Sequence, residues 1–291
     1  MILAGDIGGT KTYLGLFNWP ETKNSPPILA GEIATYLSRD YAERGLVAMI
    51  EEFLAKSAVN KETIKAASFG VAGPVDGGCG KLSNLNWVIT EPSLSEFLNV
   101  PVALINDLEA MGYGVPLLPP DRLEPLNPEV TPDPKNDQQP RAVIAAGTGL
   151  GEAGLLWEER EHIFRPLPSE GGHADFAPCN KRQTELLRYL LEREEFGGHV
   201  SYERVLSGPG LFNLYQFLQN NQEDKTENPE VNNRLEQEHS KPEEMRSYAA
   251  IISEMALAKK SPICEQALDE FMSIYGAEAG NLVLRYKALG G

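Results

Sequence analysis

An acidic residue followed by a glycine-rich turn stands near the start of the chain. Asp6 precedes Gly8, Gly9 and Thr10, and apolar residues flank the group on both sides. Glycine-rich turns have free backbone N–H groups that can bind phosphate oxygens, and glycine lets the backbone come close to a ligand. The Asp6 carboxylate would repel a bare phosphate unless Mg²⁺ lies between them. The turn therefore predicts an Mg²⁺–phosphate site, with an ordinary β-hairpin turn as the alternative.

A second glycine-rich turn follows the apolar segment 142–146. Its candidate phosphate-binding residues are Gly147, Thr148, Gly149 and Gly151. The order of strand, glycine-rich turn and second strand repeats the opening of the chain. We therefore expect a duplicated architecture, in which two phosphate-binding hairpins face each other across a cleft.

A dinucleotide-binding oxidoreductase is an alternative interpretation of the glycines in this second turn. Gly149, Gly151 and Gly154 match the spacing of the dinucleotide fingerprint, but a single match of this kind is weak. The fingerprint also requires a helix after its last glycine. Residues 155–164 instead predict two strands around a charged turn, which disfavours this alternative.

Asn106 and Asp107 follow the apolar segment 100–105. The nearly continuous apolar sequence predicts a strand that is buried on both faces. In open α/β sheets ligands collect at the carboxyl ends of strands, where an aspartate can act as a general base. The alternative is that Asn106 or Asp107 caps the next helix, and the residues alone favour the cap.

A loop with two acids, a histidine and a double glycine follows in the second half of the chain. Glu170 and His173 flank the glycines, and Asp175 comes shortly after them. A carboxylate accepts hydrogen bonds from two hydroxyls and an imidazole can accept or donate one, so the loop suits a ligand with many hydroxyls. A zinc site is rejected, because no second His or Cys stands at ligand spacing from His173. A polar surface loop is the alternative.

Composition restricts the class of protein. The 291 residues are 42% apolar and 23% charged, with a net charge of −16, which argues against nucleic acid or an anionic membrane as partner. No apolar run approaches the ~20 residues of a membrane span, and Asp6 interrupts the start of the chain, so we expect no signal peptide. Cys79, Cys179 and Cys264 are far apart and form no disulfide framework, which predicts a cytoplasmic protein.

The hydrophobic pattern predicts an α/β protein with two domains. Predicted strands cover 2–7, 12–18, 28–36, 65–72 and 100–105, and predicted helices cover 41–57, 93–98, 183–195, 211–218, 246–260 and 262 to about 288. The proline-rich stretch 116–140 predicts the domain boundary. We therefore expect a small α/β domain over 1–115 and a large α/β domain over 116–291.

Taken together, the motifs resemble those of one protein family. They are GDIGGT at 5–10, IND at 105–107, AGTGLG at 146–151, EGGHADFAP at 170–178 and GHVSYERVLSGPG at 198–210. Because these motifs occur in the same order and at similar spacing, the chain is similar to the bacterial glucokinases of the hexokinase type. These enzymes belong to the superfamily of actin, sugar kinases and heat-shock ATPases.

The resemblance implies a fold, a reaction and a set of roles. The fold would be actin-like, or ribonuclease-H-like, with duplicated domains and mixed sheets around a central cleft. The reaction would be ATP-dependent phosphorylation of glucose at its 6-hydroxyl, the first step of glycolysis. Asp107 would be the general base, Asn106, Asp107, Glu170, His173 and Glu203 would bind glucose, and the two glycine-rich turns would bind ATP phosphates. Asp6 would hold Mg²⁺ through water. From the residue pattern alone, Glu203 is predicted to be an acid on the surface of a helix. The resemblance leaves open whether the protein forms a homodimer.

Departures from the family pattern keep alternatives open. Related sugar kinases of the repressor/open-reading-frame/kinase group carry a Cys-rich zinc motif after the histidine, whereas Cys179 stands alone. The family continues beyond a segment like Gly290-Gly291 into an adenosine-contacting turn and a closing helix, so roughly fifty residues are expected to be missing. A kinase for another hexose and a non-catalytic sugar-binding fragment therefore remain alternatives.

Overall fold

The computed structural model describes residues 1–19, 26–82, 85–127, 129, 133–221, 228–242 and 246–291. The strands are β1 (Ile2–Ile7), β2 (Lys11–Asn18), β3 (Ile28–Leu29), β4 (Ala34–Leu37), β5 (Ala66–Val71), β6 (Val75–Asp76), β7 (Cys79–Leu82), β8 (Trp87–Thr90), β9 (Val102–Asn106), β10 (Arg141–Ala146), β11 (Leu150–Glu158) and β12 (Ile163–Ser169). The α-helices are α1 (Gly45–Ser57), α2 (Glu91–Leu98), α3 (Asp107–Gly114), α4 (Lys181–Leu191), α5 (Gly208–Asn221), α6 (Pro229–His239), α7 (Tyr248–Leu257) and α8 (Pro262–Tyr286). Short 3₁₀ helices lie at Ser38–Tyr41, Lys61–Thr63, Val115–Leu117, Pro120–Arg122, Pro134–Asn136, Gly171–His173, Glu194–Phe196 and Tyr202–Arg204.

The chain folds as two compact units. One consists of Met1–Gln139 with Leu155–Pro168, and the other of Pro140–Gly154 with Ser169–Gly291. Within the proline-rich stretch, residues 128 and 130–132 lie outside the described residues. The boundary between residues 115 and 116 stays a prediction.

The first unit is built on a mixed sheet of six strands, in the order β3–β2–β1–β5–β9 with β4 also paired to β2. Strand β1 is antiparallel to β2 and parallel to β5, which in turn is parallel to β9. Because β1, β5 and β9 run in one direction, their carboxyl ends meet at one edge of the sheet. This is the arrangement that the α/β pattern predicts. A small antiparallel sheet, β6–β7–β8, belongs to the same unit.

The predicted strand over 28–36 is wrong as a single element. Two short strands, β3 and β4, pair separately with β2. Gly31 lies between them with φ +105°, a left-handed backbone conformation that breaks an extended strand. Alternating apolar residues continue across the break, so the periodicity alone could not reveal it.

The expectation that the 100–105 strand is buried on both faces is also wrong. Strand β9 is the last strand of its sheet, and Leu104 is its only fully buried residue in the described structure. An edge strand has neighbours on one side alone, so its apolar residues stay partly exposed. The resulting solvent access at its carboxyl end suits a ligand site.

Helix α1 supplies much of the first unit's core. Its buried residues, Leu46, Met49, Ile50, Phe53 and Leu54, are those whose helical spacing predicted the element. They pack in one cluster with residues of β1, β2 and β5. The helix begins at Gly45 rather than at residue 41, because Gly45 has φ +75° and residues 38–41 form a 3₁₀ turn instead.

In the second unit, helices pack around a separate hydrophobic core. Helices α5, α7 and α8 contact one another and contribute most of the buried residues. Helix α8 begins as predicted, because the Ser261 hydroxyl accepts a hydrogen bond from the Cys264 amide at 3.1 Å and Pro262 occupies the first turn. Among the described helices, none has both the length and the apolar character needed to cross a membrane.

Candidate active site

The Asp6–Thr10 turn is the tip of a β-hairpin, because Ile7 of β1 pairs with Thr12 of β2. The Gly8 amide donates to the Lys11 carbonyl at 3.0 Å across the turn. A Cβ atom at Gly8 would lie 2.7 Å from the same carbonyl oxygen. A side chain there would therefore open the turn, which explains the glycine. The hairpin is confirmed, and phosphate binding by Gly8, Gly9 and Thr10 stays a prediction.

Ser38, which the sequence did not single out, holds this turn in place. Its amide donates to the Thr10 carbonyl at 3.0 Å and its hydroxyl donates to the Gly8 carbonyl at 2.7 Å. The hydroxyl also lies 3.0 Å from that of Thr12, and both side chains are fully buried. A lone serine after a strand resembles any turn residue, so no signal in the sequence marks it.

Asn106 caps helix α3. Its Oδ1 accepts from the Leu108 amide at 2.9 Å and from the Glu109 amide at 3.4 Å, while its Nδ2 donates to the Gly73 carbonyl at 3.1 Å. The cap interpretation is therefore confirmed for Asn106. Among the described residues only one N–H of the side-chain amide has a partner, so the predicted contact with the sugar is still compatible with the cap.

Asp6 and Asp107 lie close together at the carboxyl ends of β1 and β9, the two strands that flank β5. The register pairs Asp6 with Gly70 and Gly70 with Ile105, which places Asp107 just beyond that row. A Cβ atom at Gly70 would lie 3.1 Å from the Ala110 Cβ and 3.5 Å from the Asp107 Cα. Helix α3 thus approaches β5 closely because Gly70 lacks a side chain.

The two carboxylates repel each other. Partial burial raises the pKa of Asp6 above its ordinary value, and the negative charge of Asp107 raises it further. Asp107 lies exposed at the start of α3, where its Oδ1 accepts from the Leu108 amide at 2.8 Å. In the described part of the chain, no other hydrogen bond engages this carboxylate. A cation or a polarised hydroxyl near this pair would relieve the repulsion.

These carboxylates fit a magnesium ion only in part. The described residues contain no group of three or more His, Cys, Asp or Glu side chains that could hold a metal ion. Mg²⁺ is commonly bound by one or two carboxylates, with waters and substrate phosphates completing the octahedron. Asp6 fits that mode of binding, because burial and Asp107 leave its negative charge poorly compensated.

The second glycine-rich turn joins β10 and β11 and is fixed from two sides. The Gly208 amide at the start of α5 donates to the Gly147 carbonyl at 2.8 Å. On the other side, the Leu150 amide donates to Glu203 Oε2 at 3.1 Å. A Cβ atom at Gly149 would lie 2.6 Å from that same carboxylate oxygen, so Gly149 allows Glu203 to reach the turn. The side chain of Thr148 is exposed.

No dinucleotide fold follows the second turn. After Gly154 the chain continues as β11 and then β12, with no helix between them. This matches the two strands expected over 155–164. The match to the dinucleotide fingerprint is therefore coincidental.

Glu170, His173 and Glu203 lie together in the second unit. His173 Nε2 is 3.8 Å from Glu170 Oε2, and His173 Nδ1 is 4.0 Å from Glu203 Oε1. Backbone hydrogen bonds from Phe176 to Val200 and from Tyr202 to Ala174 join the two segments, which are far apart in sequence. The three side chains therefore lie close enough together to contact one ligand with several hydroxyls.

Glu203 is not the helix-surface acid that its sequence pattern indicates. It lies in the short 3₁₀ helix Tyr202–Arg204, and its side chain is only 24% exposed, against 80% for Glu170. One oxygen is bound to the Leu150 amide and the other faces His173. Glu203 thus connects the second glycine-rich turn with the Glu170–His173 loop.

Known proteins resemble this chain over its whole length. Residues 3–291 match the family described as Glucokinase. A glucokinase of Nostoc punctiforme (strain ATCC 29133 / PCC 73102) is 39% identical over 295 residues, which span 100% of this chain and 82% of that protein. A glucokinase of Escherichia coli O139:H28 is 34% identical over 299 residues, which span 99% of this chain and 78% of that protein.

A solved structure extends this likeness to the fold. The crystal structure of a glucokinase from an Antarctic psychrotroph has a TM-score of 0.72 and 29% sequence identity, covering 100% of this chain and 80% of that one. The likeness confirms the predicted α/β fold of the actin-like sugar kinases. On the match of residues 3–291 and the 39% identity to a curated relative, the chain belongs to the glucokinase family.

Proposed function

We propose that the protein transfers the γ-phosphoryl group of ATP to the 6-hydroxyl of glucose. The observation that carries this proposal is membership of the glucokinase family over residues 3–291. In phosphoryl transfer the protein contributes mainly positioning and charge stabilisation, with little covalent chemistry of its own. The residues that would do this lie on two glycine-rich turns and on the loops and strand ends beside them.

Asp107 is the proposed general base. Its carboxylate stands exposed at the carboxyl end of a parallel strand, and the Leu108 amide occupies only Oδ1. The other oxygen can accept a proton from the sugar 6-hydroxyl as the phosphoryl group is transferred. Gly70 and the Asn106 cap fix the start of α3, and so they fix where this oxygen lies.

Asp6 is the proposed contact to Mg²⁺, through water. The ion would neutralise charge on the phosphates of ATP and favour the ionised form of Asp6. The Asp6–Thr10 turn would bind phosphate oxygens with backbone N–H groups, supported by Ser38. In the second unit, the Gly147–Gly151 turn would do the same.

Glu170, His173 and Glu203 are the proposed ligands of sugar hydroxyls, together with Asn106. The three residues of the second unit offer acceptors on two carboxylates and an imidazole that accepts or donates. A site built to pair hydroxyls rejects analogues that lack them, because its polar groups would be left unpaired. This chemistry predicts a preference for a hexose with a full set of hydroxyls.

Replacement of Asp107 by Asn is the direct test of the base. The amide keeps the size of the side chain and can still accept from the Leu108 amide, but it cannot take up a proton. We expect kcat to fall by about 10²–10⁴-fold, the usual contribution of a general base. Calorimetric titration should show that glucose still binds, while a coupled assay with glucose and ATP–Mg²⁺ reports turnover. Glu109→Gln, on the same helix, is the matched control.

Three outcomes would change the conclusion. Near-normal kcat in Asp107→Asn would remove Asp107 from the role of base. Turnover of mannose or fructose in preference to glucose would assign a different hexose. Binding of glucose with no turnover by the unsubstituted chain would favour the non-catalytic sugar-binding alternative.

A cytoplasmic location is part of the proposal. In the part of the chain that the structure describes, no disulfide joins Cys79, Cys179 or Cys264, which suits a reducing compartment. ATP and glucose are the proposed partners.

A further inference from the structure

A cluster of two acids and one arginine is buried behind the sugar-binding loop. Glu152 of β11 and Glu278 of α8 are both fully buried. Arg285 of α8 lies between them, with Nη1 3.2 Å from Glu152 Oε2 and Nη2 3.5 Å from Glu278 Oε1. Asn281 donates to Glu278 Oε2 at 2.8 Å. The proposed mechanism of the kinase uses none of these residues.

The hydrogen bonding of this cluster is incomplete unless one acid is protonated. Among the described residues, Glu152 Oε1 has no hydrogen-bond partner and Glu278 Oε1 has only its 3.5 Å ion pair with Arg285, although both atoms are buried. The single positive charge of Arg285 can balance one carboxylate, and a second buried negative charge would be costly. One proton shared by the two carboxyl groups, which are within hydrogen-bonding reach of each other, would supply the missing donor and leave the cluster neutral.

Electrostatics agree with a proton on Glu152. The pKa of Glu152 is raised to about 7: burial is the largest cause, the charge of Glu278 and a hydrogen bond with it also raise the pKa, and Arg285 opposes them. Tyr202 faces Glu278 from the other side, and burial together with a hydrogen bond to Glu278 raises the pKa of Tyr202 to about 12. Tyr202 therefore stays protonated, and Cys179 is the other titratable side chain that the described residues place beside it.

The cluster touches both segments that carry the proposed sugar ligands. A Cβ atom at Gly171, next to Glu170, would collide with Glu152 Oε2, so the loop backbone packs directly on this carboxyl group. On the other side, the Tyr202 hydroxyl is hydrogen-bonded to Glu278 and accepts from Asn281 at 3.2 Å. Tyr202 immediately precedes Glu203.

We propose that Glu152 and Glu278 share one proton, and that this proton positions the segments carrying Glu170 and Glu203 for sugar binding. Loss of the proton leaves two carboxylates facing each other beside one arginine, and their repulsion displaces the Gly171 backbone and Tyr202. Glucose affinity then falls as the solution becomes alkaline. Glu152 and Glu278 are positioning residues, and their role rests on the proposed function.

The test compares glucose binding and turnover of the wild type and Glu152→Gln between pH 5.5 and pH 9. Glutamine imitates the protonated acid, since its amide can donate to Glu278 Oε1 without titrating. In the wild type we expect the Kd and KM for glucose to rise about tenfold across the titration, with a smaller change in kcat. In Glu152→Gln that alkaline rise should be absent.

Two further variants sharpen the comparison. Glu278→Gln should also abolish the alkaline rise, because it removes the other half of the pair. Glu270→Gln is the matched control: Glu270 is a nearly buried acid of the same helix whose partners are Gln183 and Arg182, neither of which belongs to the Glu152–Glu278–Arg285 cluster. It should keep the wild-type profile. An alkaline rise of equal size in Glu152→Gln and in the wild type overturns the proposal.

Stability without any sugar gives an independent readout of the shared proton. Because the folded pKa of Glu152, about 7, lies above its ordinary value of 4.5, the folded protein holds a proton that the unfolded chain releases. The free energy of unfolding should therefore decrease as pH rises from about 4.5 to 7, with a slope of about one proton that Glu152→Gln lacks. An identical slope in both proteins also overturns the proposal. If neither protein binds glucose, the kinase function and the sugar-positioning role fail together, while the slope still reports the proton.

Discussion

At the scale of single residues, the first glycine-rich turn depends on a serine that no phosphate motif contains. The Ser38 hydroxyl donates to the Gly8 carbonyl at 2.7 Å and contacts the Thr12 hydroxyl at 3.0 Å. The side chains of Ser38 and Thr12 are both fully buried. Bonding the Gly8 carbonyl fixes the plane of the peptide that follows it, and so it fixes the direction of the Gly9 amide, a proposed phosphate donor.

Replacement of Ser38 by Ala should loosen this turn. The Gly8 carbonyl and the buried Thr12 hydroxyl would lose their partner, which destabilises the protein by about 1–3 kcal/mol. Because the turn is a proposed phosphate site, the KM for ATP should rise several-fold, while the KM for glucose stays nearly constant. Thermal unfolding and steady-state kinetics measure the two effects.

Ser57→Ala provides the comparison for this effect on ATP. Its hydroxyl donates to the Leu54 carbonyl at 3.0 Å in the same unit, at the end of α1, so its loss removes a similar bond far from the turn in sequence. It should lower stability without changing the KM for ATP. Equal KM values for ATP in Ser38→Ala and the wild type would mean that the turn keeps its shape unaided.

At this scale, the role of a residue could be predicted from the sequence when that role depends on residues close to it in the chain. Asp6, Asp107 and the glycines of the turns were predicted because strand ends and turn chemistry are visible in neighbouring residues. Ser38 and Glu152 were missed, because their roles arise from contacts with residues distant in the chain, such as Gly8 and Arg285. Glu152 looks like any charged strand residue until α8 covers it.

At the scale of elements, the approach of α3 to β5 fixes the position of Asp107. A Cβ atom at Gly70 would lie 3.1 Å from the Ala110 Cβ, tighter than most real contacts of this kind. Gly70→Ala should therefore push the helix away by a few tenths of an ångström. Since small misplacements of reacting groups reduce rates steeply, we expect kcat to fall about tenfold.

A compensating substitution tests whether the helix approach is the cause. In Gly70→Ala/Ala110→Gly the crowding Cβ is removed from the helix side, so kcat should recover most of its loss. The single variant Ala110→Gly controls for the ~1 kcal/mol that glycine costs inside a helix. A double variant as slow as Gly70→Ala would show that the rate loss does not come from the position of α3.

Whether a segment forms a helix or a strand was easier to predict than which residues of that element are buried. Helices α1 and α8 follow from apolar spacing and from the Ser261-Pro262 cap, both of which are local. The break at Gly31 and the edge position of β9 depend on which strands pair, and pairing is decided by the whole sheet. That is why a strand expected to be buried on both faces lies at an edge.

At the scale of the whole molecule, excess negative charge is the dominant feature. Lys and Arg number 26 against 42 Asp and Glu, which gives the net charge of −16. Many basic side chains are already engaged in ion pairs with acids, such as Lys56 with Glu52 and Arg234 with Glu254. The acids in excess have no cation to pair with and repel one another, which destabilises the compact state.

Salt should therefore stabilise this protein rather than weaken it. Raising the ionic strength from 0.01 M to 0.15 M shortens the Debye length from about 30 Å to about 8 Å, which screens the long-range repulsion more than the close pairs. We expect Tm to rise by a few degrees, since about 1 kcal/mol shifts Tm by roughly 2–4 °C in proteins approaching this size. Calorimetry in NaCl and in choline chloride separates screening from specific binding of a cation. A Tm that falls with both salts would mean that exposed ion pairs contribute more to stability than the excess charge removes.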